Sequence, residues 1–319
     1  VLVQRYFRDF PADHLFSLCH RKNGEPWLEN SLLLQPTTTI GEQVRAIRTA
    51  LEAATFIPEL VYATAFDETD LTMLAAVLEV VPPTTPVIQN FMDYMPHDET
   101  AFDSPFATLS SRITETWALT DSLARGLSSR YERAVEHVTT LHQTPPDNPK
   151  SRYGTFAQGF RTVMLGNLWQ PWMLPLLERV WSACMRELPG LRPIEWYAHP
   201  LRVQAVIDLG YELGDAVVWK GFLNDSLMRE KLSTAELAIL PFNAGASAHD
   251  GYTRYSLPSR LTEFCGAGLP ILVIASPDTE PARFATEHSC AAVISGPDEE
   301  SITRGLIRLI ADQPMRQEL

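Results

Sequence analysis

The segment Ser256-Leu257-Pro258-Ser259-Arg260-Leu261-Thr262-Glu263-Phe264 carries the densest chemistry in the chain. Pro258 is placed to open a helix, because its missing N–H and fixed φ suit the first helical position. Ser259 and Arg260 then fall in the first turn. There a hydroxyl, a guanidinium and backbone N–H groups can converge on a diphosphate. Glu263 follows about one turn later on the same side, where a carboxylate can accept hydrogen bonds from ribose hydroxyls. Spacing alone leaves a second reading open, a surface Arg260–Glu263 pair with ordinary capping.

Other candidates stand in loops that follow apolar runs. Gly166-Asn167-Leu168 follows Arg161–Leu165, and a glycine there lets backbone approach a phosphate or simply makes a tight turn. Gly221-Phe222 follows Val217–Lys220; it either clamps a base or is a turn glycine followed by a core phenylalanine. In the first half, Gln89-Asn90-Phe91-Met92-Asp93 follows Pro86–Ile88. Asp93 either orients an acceptor hydroxyl and stabilises positive charge on a sugar, or caps a helix. His97, His249 and Asp250 are loop residues without metal-ligand spacing. Thr120-Asp121-Ser122 is best explained as a helix cap. Trp169, Trp172, Leu176, Val180 and Trp181 recur at helical spacing, which reads as a buried helix face, the alternative being exposed tryptophans that stack on a sugar.

These residues need a scaffold, and the pattern supplies one. Val44, Ile47, Leu51 and Ala54 mark a helix over 41–55, Leu60–Ala63 a strand, and Leu71, Leu74, Ala75 and Leu78 another helix. Strand signals follow at 86–88 and 117–120, then a helix over 122–131. After Thr144-Pro145-Pro146-Asp147-Asn148-Pro149-Lys150, where prolines stop both helix and central strand, the alternation resumes. Strands are expected at 161–165, 194–198, 216–220, 237–241, 270–274 and 291–294. Helices are expected at 169–188, 200–211, 225–234, 258–267, 279–287 and 299–312. Strand-helix alternation of this kind builds a parallel sheet covered on both faces. The expected organisation is therefore α/β, with two Rossmann-like doubly wound domains at 1–145 and 158–319 and a linker at 146–157. The segment before residue 11 is helix-like. The first strand of the N-terminal domain and the end of the last helix are expected to be missing.

The chain has 319 residues, of which 45% are hydrophobic and 20% charged, enough for about two cores. Its net charge of -13 and pI near 5.1 argue against extended nucleic-acid contact and leave membrane contact at most peripheral. The four cysteines, Cys19, Cys184, Cys265 and Cys290, form no CxxC pair. They fit a reducing, cytoplasmic setting. No apolar run reaches about 18 residues, and no signal peptide is evident.

The stretch from Ser256 to Pro270 resembles the donor-site motif of retaining glycosyltransferases of the GT-B fold, particularly glycosyltransferase family 4. There a serine–proline–serine/threonine–lysine run leads to a glutamate, then small residues, glycine and proline. Val217–Phe222 resembles the family's base-binding turn, and Leu237–Phe242 the strand before its donor loop. The resemblance covers 160–312 well. It implies two domains facing a cleft and metal-independent transfer of a sugar from a nucleoside-diphosphate donor, with no further cofactor. The acceptor is an unidentified glycan, lipid-linked sugar or protein. It also implies a donor site of Gly166, Gly221, Phe222, Ser256, Leu257, Pro258, Ser259, Arg260 and Glu263, with Asp93 and Arg260 as catalytic residues. The sequence departs from the family at Tyr255, where a second glutamate usually stands. It departs again at Asn167, Trp169 and Gln170, where an arginine and a lysine are usual. Arg260 is left as the main diphosphate cation, with Lys220 or Arg254 in support. A GT-B sugar-nucleotide epimerase and a non-catalytic nucleotide-sugar-binding or scaffold protein are the alternative readings.

Overall fold

A computed structural model describes residues 11–20, 31–34, 38–64, 67–92, 99–138, 159–168, 170–244, 251–295 and 298–312. The chain divides into two compact units, Val1–Thr140 and Leu141–Leu319. The expected proline-rich linker lies outside the described residues, as do both chain ends, Asp93, His97, Trp169, His249 and Asp250.

In the first unit, β1 (Ser17–His20) and β2 (Ser31–Leu34) pair in parallel as a separate ribbon. Helix α1 (Ile40–Ala53) starts at a reciprocal cap: the Glu42 carboxylate accepts the Thr39 N–H at 2.7 Å, and the Thr39 hydroxyl accepts the Glu42 N–H. Then β3 (Val61–Ala63), α2 (Glu68–Val80), β4 (Val87–Phe91), α3 (Glu99–Leu109), β5 (Glu115–Ala118), α4 (Asp121–Tyr131) and β6 (Glu136–His137) alternate. They give a parallel sheet in the order β3-β4-β5-β6. The strand expected at 117–120 ends at Ala118, because the Thr120 hydroxyl turns back to accept the Leu123 N–H at 3.1 Å and caps α4. Helix α3 has no counterpart in the sequence reading, since Pro105 interrupts its pattern. Packing holds it: buried Phe106 lies 5.4 Å from the Phe91 ring and 4.6 Å from Tyr131.

In the second unit the strands are β7 (Thr162–Leu165), β8 (Ile194–Tyr197), β9 (Val217–Gly221), β10 (Leu237–Asn243), β11 (Ile271–Ala275) and β12 (Ala292–Ile294). The helices are α5 (Met173–Glu187), α6 (Pro200–Asp208), α7 (Asp225–Ser233), α8 (Gly251–Tyr255), α9 (Ser259–Gly266), α10 (Glu280–Glu287) and α11 (Glu299–Ala311). Nearly all match expected segments; α5 begins at Met173 rather than 169. All pairings are parallel, in the order β12-β11-β10-β7-β8-β9. Counted from β7, the strands run six-five-four-one-two-three, the doubly wound order whose direction reverses between β7 and β10. Strand β10 is buried along its whole length, as its apolar run requires. Leu176, Val180 and Trp181 on α5 are buried in the core and Trp172 packs against it partly buried, while Trp169 lies outside the described residues.

One carboxylate ties α5 to the entry of β9. Glu178 accepts N–H groups from Gly214, Ala216 and Val217 at 2.9, 3.0 and 3.1 Å. Hydrogen bonds to a charged partner contribute about 1.5–3 kcal/mol each, and their loss strands buried donors. Glu178→Ala should therefore lower unfolding stability by on the order of 2–3 kcal/mol in urea titration. A change below about 0.5 kcal/mol would contradict this role.

Candidate functional site

In an open parallel sheet the ligand site lies beyond the carboxyl ends of the strands at the reversal point. Here that point is the gap between β7 and β10. These strands pair only near their starts, Thr162 with Leu237 and Val163 with Ala238. The end of β7 instead pairs with β8 alone, and the Gly166 N–H donates to the Tyr197 carbonyl at 2.7 Å. Because the peptide unit is planar and trans, the Leu165 carbonyl points the opposite way, toward the gap. Arg260 fills it: Nη1 donates to Leu165 O at 2.7 Å. Residues 95 positions apart in sequence thus close the crevice.

Gly166 is shaped by this contact. Its φ is +71°, and a Cβ placed on it would stand 3.2 Å from both Cδ and Nε of Arg260. Its carbonyl accepts the Trp196 indole N–H at 2.9 Å, and Trp196 is fully buried. On the same strand, Glu195 accepts the Tyr197 hydroxyl at 2.7 Å and Arg161 at 3.2 Å. Burial opposes the Glu195 charge, yet hydrogen bonds from Tyr197 and Arg161 hold its carboxyl below the usual range. The end of β8 is therefore pinned on both faces beside Gly166.

Helix α9 brings the other candidates together. Its N-cap is Pro258, which has no side chain able to cap, so the first turn lacks a capping oxygen. Leu261, Thr262 and Phe264 face the core, while Ser259, Arg260 and Glu263 are half-buried on the remaining face. The preceding Ser256, Leu257 and Pro258 are buried, which leaves mainly backbone from the last two for any ligand. The Ser256 hydroxyl has no hydrogen-bond partner among the described residues. Upstream, Arg254 and Lys220 are exposed. The Arg254 guanidinium lies over the Tyr255 ring at 5.5 Å. Arg283 donates to the Arg254 carbonyl at 2.5 Å and to buried Glu280 at 2.6 Å, tying α8 to α10.

At β9, Gly221 has φ +99° and open space where a Cβ would stand. Phe222 is 63% exposed, which overturns the core-phenylalanine alternative. Its ring meets His199 edge-on at 5.5 Å. His199 caps α6 and follows β8 as Phe222 follows β9, and the sequence reading missed it. Its signal is its position, directly after an apolar strand and before a helix-opening proline.

A scan against protein-family models and a search of curated proteins give no match. Solved structures do. TarM is similar at TM-score 0.59 and 10% identity over 86% of this chain and 53% of its own. The pneumococcal O-GlcNAc transferase GtfA, solved with UDP and GlcNAc, is similar at 0.54 and 15% over 85% and 54%. A Listeria monocytogenes protein assigned as UDP-N-acetylglucosamine 2-epimerase is similar at 0.52 and 13% over 91% and 76%. The chain thus spans about half the length of the first two. It has the GT-B glycosyltransferase-like fold. Among the described residues, no helix is long and apolar enough to cross a membrane.

Two glycines separate strain from contact. Left-handed backbone costs a residue with a Cβ about 1–2 kcal/mol. Gly221→Ala should cost about that amount and no more. Gly166→Ala should cost at least as much and also displace Arg260 by a few tenths of an ångström. Urea titration measures the first effect; a crystal structure of Gly166→Ala with Arg260 unmoved would contradict the second.

Proposed function

We propose that the second unit binds the nucleotide of a nucleoside-diphosphate sugar, and that the chain is a metal-independent, retaining glycosyltransferase. The observation that carries this reading is Arg260, fixed at the strand-order reversal above Gly166 and beside the uncapped first turn of α9. Arg260 is anchored by Nη1 on Leu165, so its guanidinium is held in a set direction. Together with the Ser259 hydroxyl and the positive helix end, this cation suits a diphosphate. Glu263, one turn along, takes the ribose hydroxyls, while Gly221, Phe222 and His199 border the base. In transfer, the bond from the anomeric carbon to the diphosphate oxygen breaks, the oxygen of an acceptor hydroxyl bonds to that carbon, and the hydroxyl proton passes to the departing diphosphate. Arg260 balances the charge that grows on the leaving diphosphate. Asp93 is the proposed acceptor-side carboxylate.

A second reading, a GT-B-fold epimerase acting on a nucleotide sugar, is favoured by one observation. The Listeria monocytogenes protein assigned as a 2-epimerase is similar over 91% of this chain at TM-score 0.52. Release of free sugar from the donor without any acceptor would favour it.

Calorimetric titration of the full chain with UDP, GDP and ADP tests the site. One nucleotide should bind. Glu263→Ala and Arg260→Ala should each weaken it about tenfold or more, on the order of 1.4 kcal/mol. Folded wild-type chain that binds none of the three would overturn the proposal.

A further inference from the structure

The first unit holds a cavity that the nucleotide reading leaves unused. Its volume is about 710 Å³, within the range of small-molecule sites. It opens between the end of α3, the 3₁₀ turn Ser110–Arg112, the start of β5 and the stretch joining α4 to β6. Its lining runs from Asp103 to Glu136, so it belongs to the first unit alone.

Strand alternation sets the floor. On β5 the Trp117 indole N–H reaches back to Glu115 at 2.9 Å, so these two side chains share one face of the sheet. Thr116 therefore points to the other face. Register puts Ala118 beside Phe91, and Phe91 meets Phe106 and Tyr131, so this second face is the one that α3 and α4 cover. Thr116 lines the cavity at 2% exposure, and its hydroxyl has no hydrogen-bond partner among the described residues. A buried hydroxyl without a partner is costly, and a ligand oxygen that pairs with it removes that cost.

The charged groups of the lining differ in how they are matched. Arg130 and Asp103 pair with one another: Nε and Nη2 donate to the carboxylate at 3.0 and 2.8 Å, and the Tyr131 hydroxyl donates to it at 2.9 Å. Arg133 pairs with no carboxylate among the described residues. Its Nη1 donates to the Ser110 carbonyl at 3.2 Å and its Nη2 to the Ile113 carbonyl at 3.1 Å. These two bonds leave N–H groups of the guanidinium unused. Burial pulls Arg133 below the ordinary guanidinium range, with no carboxylate to offset it. Glu132 and Glu136 line the same cavity, and among the described residues their carboxylates have neither a hydrogen bond nor an ion pair. Opposite charges that border one cavity without pairing suit a ligand that carries both signs. The Phe106 and Tyr131 rings, 4.6 Å apart, add an aromatic wall.

We propose that this cavity binds an α-amino acid with an aromatic side chain. The ligand carboxylate takes N–H groups of Arg133 and the Thr116 hydroxyl, the ammonium goes to Glu132 and Glu136, and the ring lies against Phe106 and Tyr131. Binding involves no covalent step. It depends on no assumption about what the second unit binds.

The test is calorimetric titration of the full chain with L-phenylalanine, phenethylamine and hydrocinnamate. The second probe lacks the carboxylate and the third lacks the ammonium. L-phenylalanine should bind at one site per chain, and each single-charge probe about tenfold or more weaker. Glu136→Gln should weaken L-phenylalanine severalfold and leave hydrocinnamate unchanged. Arg133→Gln should weaken L-phenylalanine and hydrocinnamate and leave phenethylamine unchanged. If that variant does not fold, Thr116→Val, which removes the hydroxyl at nearly constant shape, should weaken the same two probes. A folded wild-type chain that does not bind L-phenylalanine would overturn the proposal. So would equal affinity for either single-charge probe, or L-phenylalanine binding that none of the variants changes.

Discussion

The hydrogen bond from Arg260 to the Leu165 carbonyl is the interaction on which the candidate site depends. It exists because β7 and β10 separate after two paired residues, leaving a carbonyl at the end of a buried strand that faces no neighbour. An unsatisfied buried carbonyl is costly. A guanidinium answers it in a fixed direction, which a lysine could not do. Gly166 is the matching constraint, since a Cβ there would stand 3.2 Å from Arg260 and crowd it. The scaffold and the site are thus joined at one atom pair.

The second consequence concerns helix α9. Its core face is apolar and short, and its start is closed by proline rather than by a capping side chain. No side chain of the N-cap residue therefore competes for the first-turn N–H groups. Arg260, Ser259 and Glu263 lie on the same half-buried side because the helical period puts positions three and four apart together. The chain has a net charge of -13, so this concentration of positive potential is local and set against an acidic surface.

Most of the second unit was legible in the sequence. Runs such as Leu237-Ala238-Ile239-Leu240 have no alternation to confuse, and glycines or prolines punctuate them. The motif around Pro258 marked its helix to within a residue or two. Other features depend on distance in sequence. Nothing local indicates that Arg260 reaches Leu165 or that Trp196 holds the Gly166 carbonyl; both follow from strand order. Helix α3 escaped because Pro105 argues against it locally, while Phe106 is held by rings from β4 and α4. Phe222 was ambiguous, since exposure of a lone aromatic after a turn depends on whether a later element covers it. His199 carries no motif, and only its place at a strand end gives it meaning.

The most direct measurement is a crystal structure of the chain with UDP. The account predicts the diphosphate at the first turn of α9, within hydrogen-bonding reach of Ser259 and Arg260. It also predicts that Arg260 keeps Nη1 on Leu165, with Glu263 on the ribose. UDP bound elsewhere, or a diphosphate reached only after Arg260 abandons Leu165, would contradict it.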